Sequence, residues 1–391
     1  MRNIFASKSL VAAVLIYAAA ATSVNIVPHQ VTAYVAAQRL TDTQVGIVAM
    51  CETAALALMT ILAVILPSRQ ERMIAVFGPI LAAAAQLASI VAPDLLTLCV
   101  LRTVVGAGCG AAGCVAARSI GTSPAPGQAF GISNGLSALI SGIFLSGVPY
   151  FPSAHPGIRV FVPLAALAAL LGVAGWFTPA RQPALAADQA HRDGMAASSH
   201  WDRAITLLIA TVLIYIPLGG IWTFSVQQGT SVGLSERAVG VMLAWMIPAG
   251  LAGGAFAAWI HRRTGLTAPI CVAAALAALT CIIVATARTP LHFGLAFVIY
   301  AATYMFAISV LQTAGVKADP SGRLSAVMFG MTLVGCAVGS YIVGLLLDSG
   351  HSSIIGTGGA ALSAAAGVLA LWASWNMGTR DPVAVTAGGS P

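Results

Sequence analysis

The sequence predicts an all-α membrane protein whose twelve transmembrane helices form two pseudo-symmetric six-helix bundles. Of the 391 residues, 59% are hydrophobic and only 7% are charged, whereas about 25% are charged in a soluble domain. So few charged side chains cannot cover a surface that faces water. Twelve apolar runs are long enough to cross a bilayer, and a similar short pattern opens the second run of each half.

Each predicted span is a mostly apolar run, since a helix needs about 20 such residues to cross a hydrocarbon core of about 30 Å. In chain order, spans 1 to 12 are residues 9–28, 43–66, 74–92, 95–117, 128–149, 158–178, 204–226, 236–260, 266–287, 291–313, 323–347 and 353–376. The longest break is the polar segment 179–203, which leaves six spans on either side. We therefore expect an N-terminal bundle over residues 1–178, a cytoplasmic linker over 179–203, and a C-terminal bundle with a short tail over 204–391.

Basic residues set the predicted orientation. Of the 18 Lys and Arg, thirteen fall on one side of the predicted spans, four on the other, and Arg102 lies inside a span. The thirteen are Arg2, Lys8, Arg69, Arg72, Arg118, Arg181, Arg192, Arg203, Arg262, Arg263, Lys317, Arg323 and Arg380, and the four are Arg39, Arg159, Arg237 and Arg288. Because cytoplasmic loops are enriched in Lys and Arg, we expect both termini and the linker in the cytoplasm. The expected location is a bacterial-type inner membrane.

The net charge of +7 does not indicate a nucleic-acid partner. The basic residues are spread over short loops between apolar runs, whereas nucleic-acid binding needs a basic patch or stripe. The expected partners are therefore the lipid bilayer and a small molecule, and we expect a monomer.

The two halves share a pattern where their second spans begin. LTDTQVGIV at residues 40–48 enters span 2, and LSERAVGVM at residues 234–242 enters span 8. The hydroxyl residue suits a helix N-cap, and the acid that follows suits the positive end of the helix dipole. The same pattern at the same span of each half argues for duplicated halves.

Span 4 contains the sequence GCGAAG at residues 108–113, which matches G-x-G-x-x-G. A dinucleotide site would need a preceding strand and an acid about 20 residues further on, and neither is present. Glycines four residues apart instead form a small face that lets helices pack closely. The predicted packing faces are Gly106/Gly110, Gly131/Gly135, Gly250/Gly254 and Gly335/Gly339.

Glu52 in span 2 and Arg102 in span 4 are the charged residues that lie well inside predicted spans. At 1.5 Å per residue, Arg102 lies roughly 10 Å and Glu52 roughly 14 Å from the outer ends of their spans. Charged side chains at such depth are costly and usually functional. One alternative is a buried ion pair that only fixes two helices. The other is a proton-coupling pair, because burial favours a neutral carboxyl group and a nearby guanidinium favours the carboxylate.

Other polar and aromatic residues within the spans predict a small-molecule pocket. A pocket of this kind combines apolar or aromatic walls with a few polar groups, although each aromatic residue could equally be a packing or interface residue. The candidate substrate-binding residues are Asn25, His29, Arg102, Tyr215, Trp222, Tyr300 and Tyr304.

The sequence lacks the motifs of the common enzyme classes. It contains no G-x-x-x-x-G-K-[ST] loop, no H-E-x-x-H and no G-x-S-x-G. The seven cysteines all fall within apolar runs, without metal-ligand spacing. We therefore expect neither an enzyme nor a bound cofactor or metal.

Span 4 resembles a helix pattern of the major facilitator superfamily, L-x-x-x-R-x-x-Q-G-x-G. Leu98, Arg102, Gly106 and Gly108 match it, and Val105 departs at the Gln position. The twelve spans, the central loop and the matching halves extend the resemblance over nearly the whole chain. The loop 2–3 signature is eroded in LPSRQERM, and the Gly-Pro pattern of drug–proton antiporters is absent from AFGISNGLSALISGIFLSG.

The resemblance implies two six-helix bundles that rock around a central cavity lined by spans 1, 4, 7 and 10. It also implies that Arg102 takes part in proton coupling. The expected function is secondary active transport of a small organic solute by alternating access, coupled to protons as symport, with an organic acid as a candidate solute. One alternative is efflux of lipophilic or drug-like compounds. Another is a membrane receptor or scaffold that does not transport.

Overall fold

The computed structural model describes residues 7–65, 71–121, 123, 126–178, 201–319 and 323–375. Within these ranges the chain is almost entirely helical, and twelve helices are long and apolar enough to cross a membrane. The predicted all-α fold and the twelve spans are thus confirmed. The predicted linker 179–203 lies outside the described residues except for 201–203, which form the first residues of span 7.

The helix bounds of the N-terminal half follow the predicted spans closely except at span 1. Span 1 comprises Lys8–Ala20, Thr22–Asn25 and Val27–Gln38; spans 2 to 6 are Asp42–Ile65, Glu71–Ala88, Leu95–Gly121, Pro126–Gly147 and Pro156–Gly175. Short 3-10 turns at Ser89–Val91 and Val148–Tyr150 extend spans 3 and 5.

The C-terminal half contains the other six spans. Span 7 comprises Trp201–Thr223 and Ser225–Ser231, and span 8 comprises Glu236–Ala244 and Met246–Thr264; spans 9 to 12 are Thr267–Ala285, Pro290–Ala318, Arg323–Asp348 and Ser353–Ser374.

Proline accounts for two of the helix interruptions. Pro28 has no N–H to donate to the Val24 carbonyl, and span 1 is interrupted at Ile26. Pro248 likewise cannot bond to Ala244, and span 8 is interrupted at Trp245. The first apolar helix long enough to cross a membrane is Lys8–Asn25, close to the predicted 9–28, but helix resumes after the interruption and continues to Gln38. His29 and Gln30 therefore lie within helix.

Helix pairing follows the same scheme in both halves. In the N-terminal half, span 1 packs on spans 5 and 6, span 2 on span 4, and span 3 on spans 4 and 6. In the C-terminal half, span 7 packs on spans 11 and 12, span 8 on span 10, and span 9 on spans 10 and 12. Each pair in the second half is the equivalent of a pair in the first, six spans earlier. The two bundles are therefore pseudo-symmetric.

The halves meet along the whole length of spans 2 and 11, which run antiparallel. Near the predicted outer face, Gly344 packs on the Asp42 carbonyl and Gly46 on the Ser340 carbonyl. Near the predicted cytoplasmic face, Gly330 packs on Ile61. This contact holds the two bundles together from one face to the other.

Spans 5 and 8 form the second contact between the halves, and it covers only the part nearer the predicted outer face. There, Gly240 packs against the Leu145 carbonyl and Gly142 against Ile247. Nearer the predicted cytoplasmic face, a Cβ atom added at Gly131 or Gly135 would meet no other heavy atom of the described residues within 4 Å. The predicted packing face at Gly131/Gly135 was therefore wrong, because in this region span 5 has no close neighbour at these positions.

The other three predicted glycine faces do pack against helices. Gly106 and Gly110 contact span 2, Gly250 and Gly254 contact span 10, and Gly335 and Gly339 contact span 7. These small faces allow the close approach of helices that their spacing predicts.

Candidate functional site

Glu52 and Arg102 form an ion pair inside the N-terminal bundle. Arg102 Nη1 lies 3.6 Å from Glu52 Oε2, and both side chains are 0% exposed. One turn after Arg102, Gly106 faces the backbone of span 2, where a Cβ atom would overlap the Glu52 carbonyl oxygen. The glycine therefore permits the close approach of spans 2 and 4 that brings the two charges together.

The carboxyl group of Glu52 is hydrogen-bonded to Ser23, which is hydrogen-bonded in turn to two glutamine side chains. Ser23 Oγ in span 1 donates a hydrogen bond to Glu52 Oε1. Gln86 Nε2 from span 3 donates to Ser23 Oγ at 2.9 Å, and Gln30 Nε2 from span 1 donates to the same atom at 3.2 Å. Gln30 also accepts from the Tyr34 hydroxyl at 3.3 Å. Glu52 is thus one end of a buried hydrogen-bond network.

Arg102 is held mainly by span 3. Its Nη1 donates to Gln86 Oε1 at 2.8 Å, and its Nη2 donates to Ser89 Oγ at 2.7 Å and to the Ala85 carbonyl at 3.4 Å. The guanidinium also lies 5.0 Å from the centre of the Phe161 ring in span 6. Arg102 is therefore enclosed by protein in this conformation, and its guanidinium faces no open space.

Two polar atoms of the ion pair lack a hydrogen bond. Among the residues that the structure describes, no hydrogen-bond partner reaches Glu52 Oε2 or Arg102 Nε. A buried polar atom without a partner is costly. Glu52 Oε2 is consequently the position at which the site can accept a proton without losing an existing hydrogen bond.

Sequence reasoning missed Ser23, Gln86 and Ser89 as members of this network. The sequence contained a signal for two of them, namely polar residues within an otherwise apolar span. Gln86 and Ser89 are three residues apart in span 3 and therefore share one face of the helix. Both side chains are buried, which is unusual for glutamine and serine. A pair of uncharged polar residues at this spacing in a span is a sign of an internal polar partner.

Asn25 and His29 bind span 5 and do not contact Glu52. Asn25 Nδ2 donates to Ser141 Oγ at 2.9 Å, and His29 Nε2 donates to the Leu145 carbonyl at 2.9 Å. His29 is buried and Asn25 half-buried. The two residues fix the outer part of span 1 against span 5, and Asn25 retains a partly accessible amide.

The four aromatic candidates form one cluster between spans 7, 10 and 11. The Tyr215 and Tyr304 rings lie edge to face with their centres 4.9 Å apart, and Trp222 stacks on Tyr300 at 6.2 Å. The Tyr215 hydroxyl donates to the Tyr304 carbonyl at 2.8 Å, and the Tyr300 hydroxyl donates to the Leu218 carbonyl at 2.9 Å. Tyr215 and Tyr300 are buried and their hydroxyls are used within the bundle. Trp222 and Tyr304 are half-buried, so part of each of these two side chains remains accessible.

The structure thus places the predicted site residues in three groups, of which one is the pair Asn25 and His29, packed on span 5. Glu52 and Arg102 belong to the polar network of spans 1 to 4, and the aromatic residues belong to the cluster of spans 7, 10 and 11. Asn134 in span 5 is a further polar residue that the sequence analysis did not select. Its side chain is exposed in the region where span 5 lacks close contacts at Gly131 and Gly135.

A set of polar contacts joins the two halves at the predicted outer face. Asp348, at the end of span 11, accepts hydrogen bonds from the backbone N–H groups of Asp42 at 3.0 Å and Thr43 at 2.8 Å. These N–H groups open span 2 and have no partner within their own helix. Gln227 Nε2 of span 7 donates to Asp42 Oδ1 at 2.9 Å. The contacts link the halves where spans 2, 7 and 11 end.

Comparison with known proteins gives one family and many similar folds. The profile of the Major Facilitator Superfamily matches residues 6–339. No curated protein sequence matches the chain. Among solved structures, the nucleoside transporter NupG superposes with a TM-score of 0.73 at 13% identity, covering 97% of this chain and 100% of that one.

Two further solved structures resemble the chain over nearly their whole length. A mutant form of the peptide transporter POT, in complex with sulfate, has a TM-score of 0.71 at 14% identity, covering 96% of this chain and 94% of that chain. The D-xylose–proton symporter has a TM-score of 0.69 at 15% identity, covering 95% and 96%. At such identities the likeness establishes the fold alone.

Proposed function

The chain belongs to the Major Facilitator Superfamily, and on that premise we propose that it is a proton-coupled secondary transporter of a small organic solute. The observation that carries the proposal is the Glu52–Arg102 pair, which is fully buried within the spans and embedded in a polar network. Intramembrane ionisable residues of this kind mark ion or proton pathways. The similar folds include a sugar transporter that is a proton symporter.

The arrangement of the halves supports alternating access. Near the predicted outer face the halves are joined through Asp348, Gln227 and the contacts of span 5 with span 8. Towards the predicted cytoplasmic face, span 5 carries the exposed Asn134 beside glycines that have no close neighbour. A polar side chain in a span avoids lipid and faces a cavity or water. We therefore infer a conformation that is closed at the predicted outer face and opens beside span 5 towards the predicted cytoplasmic face.

Glu52 is the proton carrier in this proposal. Its Oε2 atom has no hydrogen bond and lies beside Arg102. Proton addition neutralises the carboxyl group and removes the attraction to the guanidinium. Span 2 carries Glu52 and span 4 carries Arg102. Loss of the attraction between them therefore changes how these two spans pack on each other. Arg102 remains hydrogen-bonded to span 3.

The proposed solute is a small organic molecule with a planar or apolar portion. Trp222 and Tyr304 offer half-buried aromatic faces in the C-terminal half, and Asn25 and Asn134 offer amides in the N-terminal half. Pockets with aromatic walls and few polar groups bind such molecules. An organic acid that binds Arg102 directly would require a second conformation, because the guanidinium is enclosed here.

Transport is tested by reconstitution. The purified protein is first screened by thermal shift against nucleosides, pentoses, dipeptides and small monocarboxylates, since a ligand that binds the folded state raises the melting temperature. Stabilising compounds are then tested for flux in proteoliposomes with an imposed pH gradient. We expect saturable uptake that an acidic exterior drives uphill. Stabilising ligands that show no flux in either direction would instead indicate a receptor or scaffold, and flux driven only outwards would indicate efflux.

A further inference from the structure

Hydrogen-bond chemistry fixes the orientation of the Gln86 amide. A guanidinium has only donors, so the atom of Gln86 that lies 2.8 Å from Arg102 Nη1 is its oxygen. The amide NH2 group must then point to Ser23 Oγ at 2.9 Å. Gln86 therefore accepts from Arg102 and donates to Ser23.

The same reasoning fixes the amide of Gln30. The backbone carbonyl of Ser23 can only accept, so the Gln30 atom at 2.8 Å from it is the nitrogen. The NH2 group of Gln30 also reaches Ser23 Oγ at 3.2 Å. Ser23 Oγ is thus a shared acceptor for two amide donors.

Ser23 has a single hydroxyl proton and two acceptor positions. Both acceptor positions are occupied by the amides of Gln30 and Gln86. The proton is therefore directed to the remaining neighbour, Glu52 Oε1. The hydrogen bonds run in one direction, from Arg102 through Gln86 and Ser23 to Glu52.

We propose that Ser23 is a positioning residue that is committed to donate to Glu52 Oε1, so that it stabilises the carboxylate and directs an incoming proton to Oε2. The proposal rests on the proposed role of Glu52 as proton carrier. Oε2 is the oxygen without a hydrogen-bond partner, and it faces Arg102 at 3.6 Å. In this network the proton binds at Oε2, which is also the atom that faces Arg102. Protonation of Glu52 and loss of its attraction to Arg102 therefore occur together.

Among the described residues, titratable groups approach Glu52 from spans 1 and 4. Arg102 and Cys109 approach from span 4, and Tyr34 approaches from span 1. Span 3 contributes the uncharged Gln86 to this network. Span 11, which packs along span 2, has no acidic, basic or histidine residue between Val327 and Leu347. Ser23 is therefore the side chain that donates directly to the Glu52 carboxyl group. Its replacement removes this hydrogen bond and leaves the charge of Arg102 unchanged.

The inference is tested by infrared difference spectroscopy of the full-length protein in lipid nanodiscs, titrated with pH. The carbonyl band of the protonated Glu52 carboxyl group is identified by its absence in Glu52→Gln. Because a donated hydrogen bond favours the charged form, Ser23→Ala should shift the midpoint of this band upwards by about one pH unit. Ser23→Thr, which keeps the hydroxyl, should titrate like the wild type. Ser141→Ala, which removes a buried hydroxyl beside Asn25 and outside the network, should also leave the midpoint unchanged.

The outcomes separate this inference from the proposed function. An unchanged midpoint in Ser23→Ala, with Glu52 still titrating, overturns the role of Ser23 and leaves the role of Glu52 intact. A Glu52 carboxyl group that does not titrate over the accessible pH range overturns the coupling role and the inference together. If Ser23→Ala does not fold, Ser23→Cys supplies the test, because a thiol is a weaker donor. The inference then predicts a smaller upward shift, and an unchanged midpoint in Ser23→Cys overturns it.

Discussion

The guanidinium of Arg102 lies 3.6 Å from the carboxyl group of Glu52 but makes shorter contacts with span 3, at 2.8 Å to Gln86 and 2.7 Å to Ser89. The arginine therefore has partners that do not depend on the charge of Glu52. If Glu52 becomes neutral, Gln86, Ser89 and the Phe161 ring still offer these contacts to Arg102. This separation between the anchoring of the arginine and its ion pair is what the proposed coupling role of Arg102 requires.

Arg102→Lys tests which role applies. Lysine keeps the charge but loses the planar fork that reaches several acceptors at once. If Arg102 acts only through the network, transport of a carboxylate solute and of its neutral analogue should fall by the same factor, and we expect this result. The measurement is the KM and maximal uptake rate of both solutes in proteoliposomes. A loss confined to the carboxylate would show that Arg102 binds the solute in another conformation.

Asp348→Asn should weaken the closure of the predicted outer face. The carboxylate accepts from the first N–H groups of span 2, where a negative charge is worth about 0.3–1 kcal/mol. We expect the population of the outward-open form to rise about 2- to 5-fold. Spin-label distances between the exposed positions Ala154 and Thr230, one in each half, measure this population.

The control for this prediction is Asp94→Asn. Asp94 also accepts from a helix N-terminus, at Thr97 N, but within a single half. Its replacement should leave the distance distribution unchanged. An equal change in both variants would mean that the distances respond to helix stability and not to contacts between the halves.

Trp222→Ala should raise the KM for the transported solute about tenfold or more, because an aromatic face contributes binding energy through its large apolar area. Trp222→Phe keeps a ring and should retain most of the affinity. Tyr300→Phe is the matched control, because the Tyr300 hydroxyl donates to the Leu218 carbonyl. That change should cost about 1 kcal/mol of stability with little effect on KM. A KM that is unaffected in Trp222→Ala would place the binding site elsewhere.

Gly106→Ala tests the packing that brings Glu52 and Arg102 together. A Cβ atom there would overlap the Glu52 carbonyl oxygen, and overpacking typically costs about 1–3 kcal/mol. Gly135→Ala is the comparison, since a Cβ atom at Gly135 meets nothing within 4 Å and alanine favours a helix by up to about 1 kcal/mol. Thermal unfolding in detergent should show a lower melting temperature for the first variant and an equal or higher one for the second. Equal destabilisation of both would contradict the assignment of close packing to Gly106.

The fold could be predicted from the sequence because its determinants are local. Apolar runs of sufficient length predict transmembrane helices. The positions of Glu52 and Arg102 within their runs predicted a similar depth in the membrane for both. Their contact in the structure at 3.6 Å agrees with that prediction. Glycine spacing also predicted close faces, but a spacing does not reveal whether a neighbour is present. For this reason Gly106 packs as expected whereas Gly131 and Gly135 do not.

The composition of the site was harder to predict, because it depends on which helix faces meet. Ser23 and Gln86 are uncharged, so their sequence context does not separate a network member from a residue that bonds its own helix. Their role appears only once spans 1, 2 and 3 lie around one point. For Tyr215 and Tyr300, the sequence likewise did not reveal which groups their hydroxyls contact. They were selected as pocket residues, and their hydroxyls bond backbone carbonyls within the C-terminal bundle.

Uphill transport by Glu52→Gln tests the central claim most directly. Proteoliposomes are loaded at neutral pH, diluted into acidic medium, and supplied with the solute that the thermal-shift screen identifies. Glu71→Gln is the control, because Glu71 is another buried carboxyl group of the N-terminal half, paired with Arg118 outside the Glu52 network. We predict that the wild type and Glu71→Gln accumulate the solute against its gradient, and that Glu52→Gln only exchanges solute across the membrane without accumulation. Accumulation by Glu52→Gln at the wild-type level would contradict the assignment of Glu52 as the proton carrier.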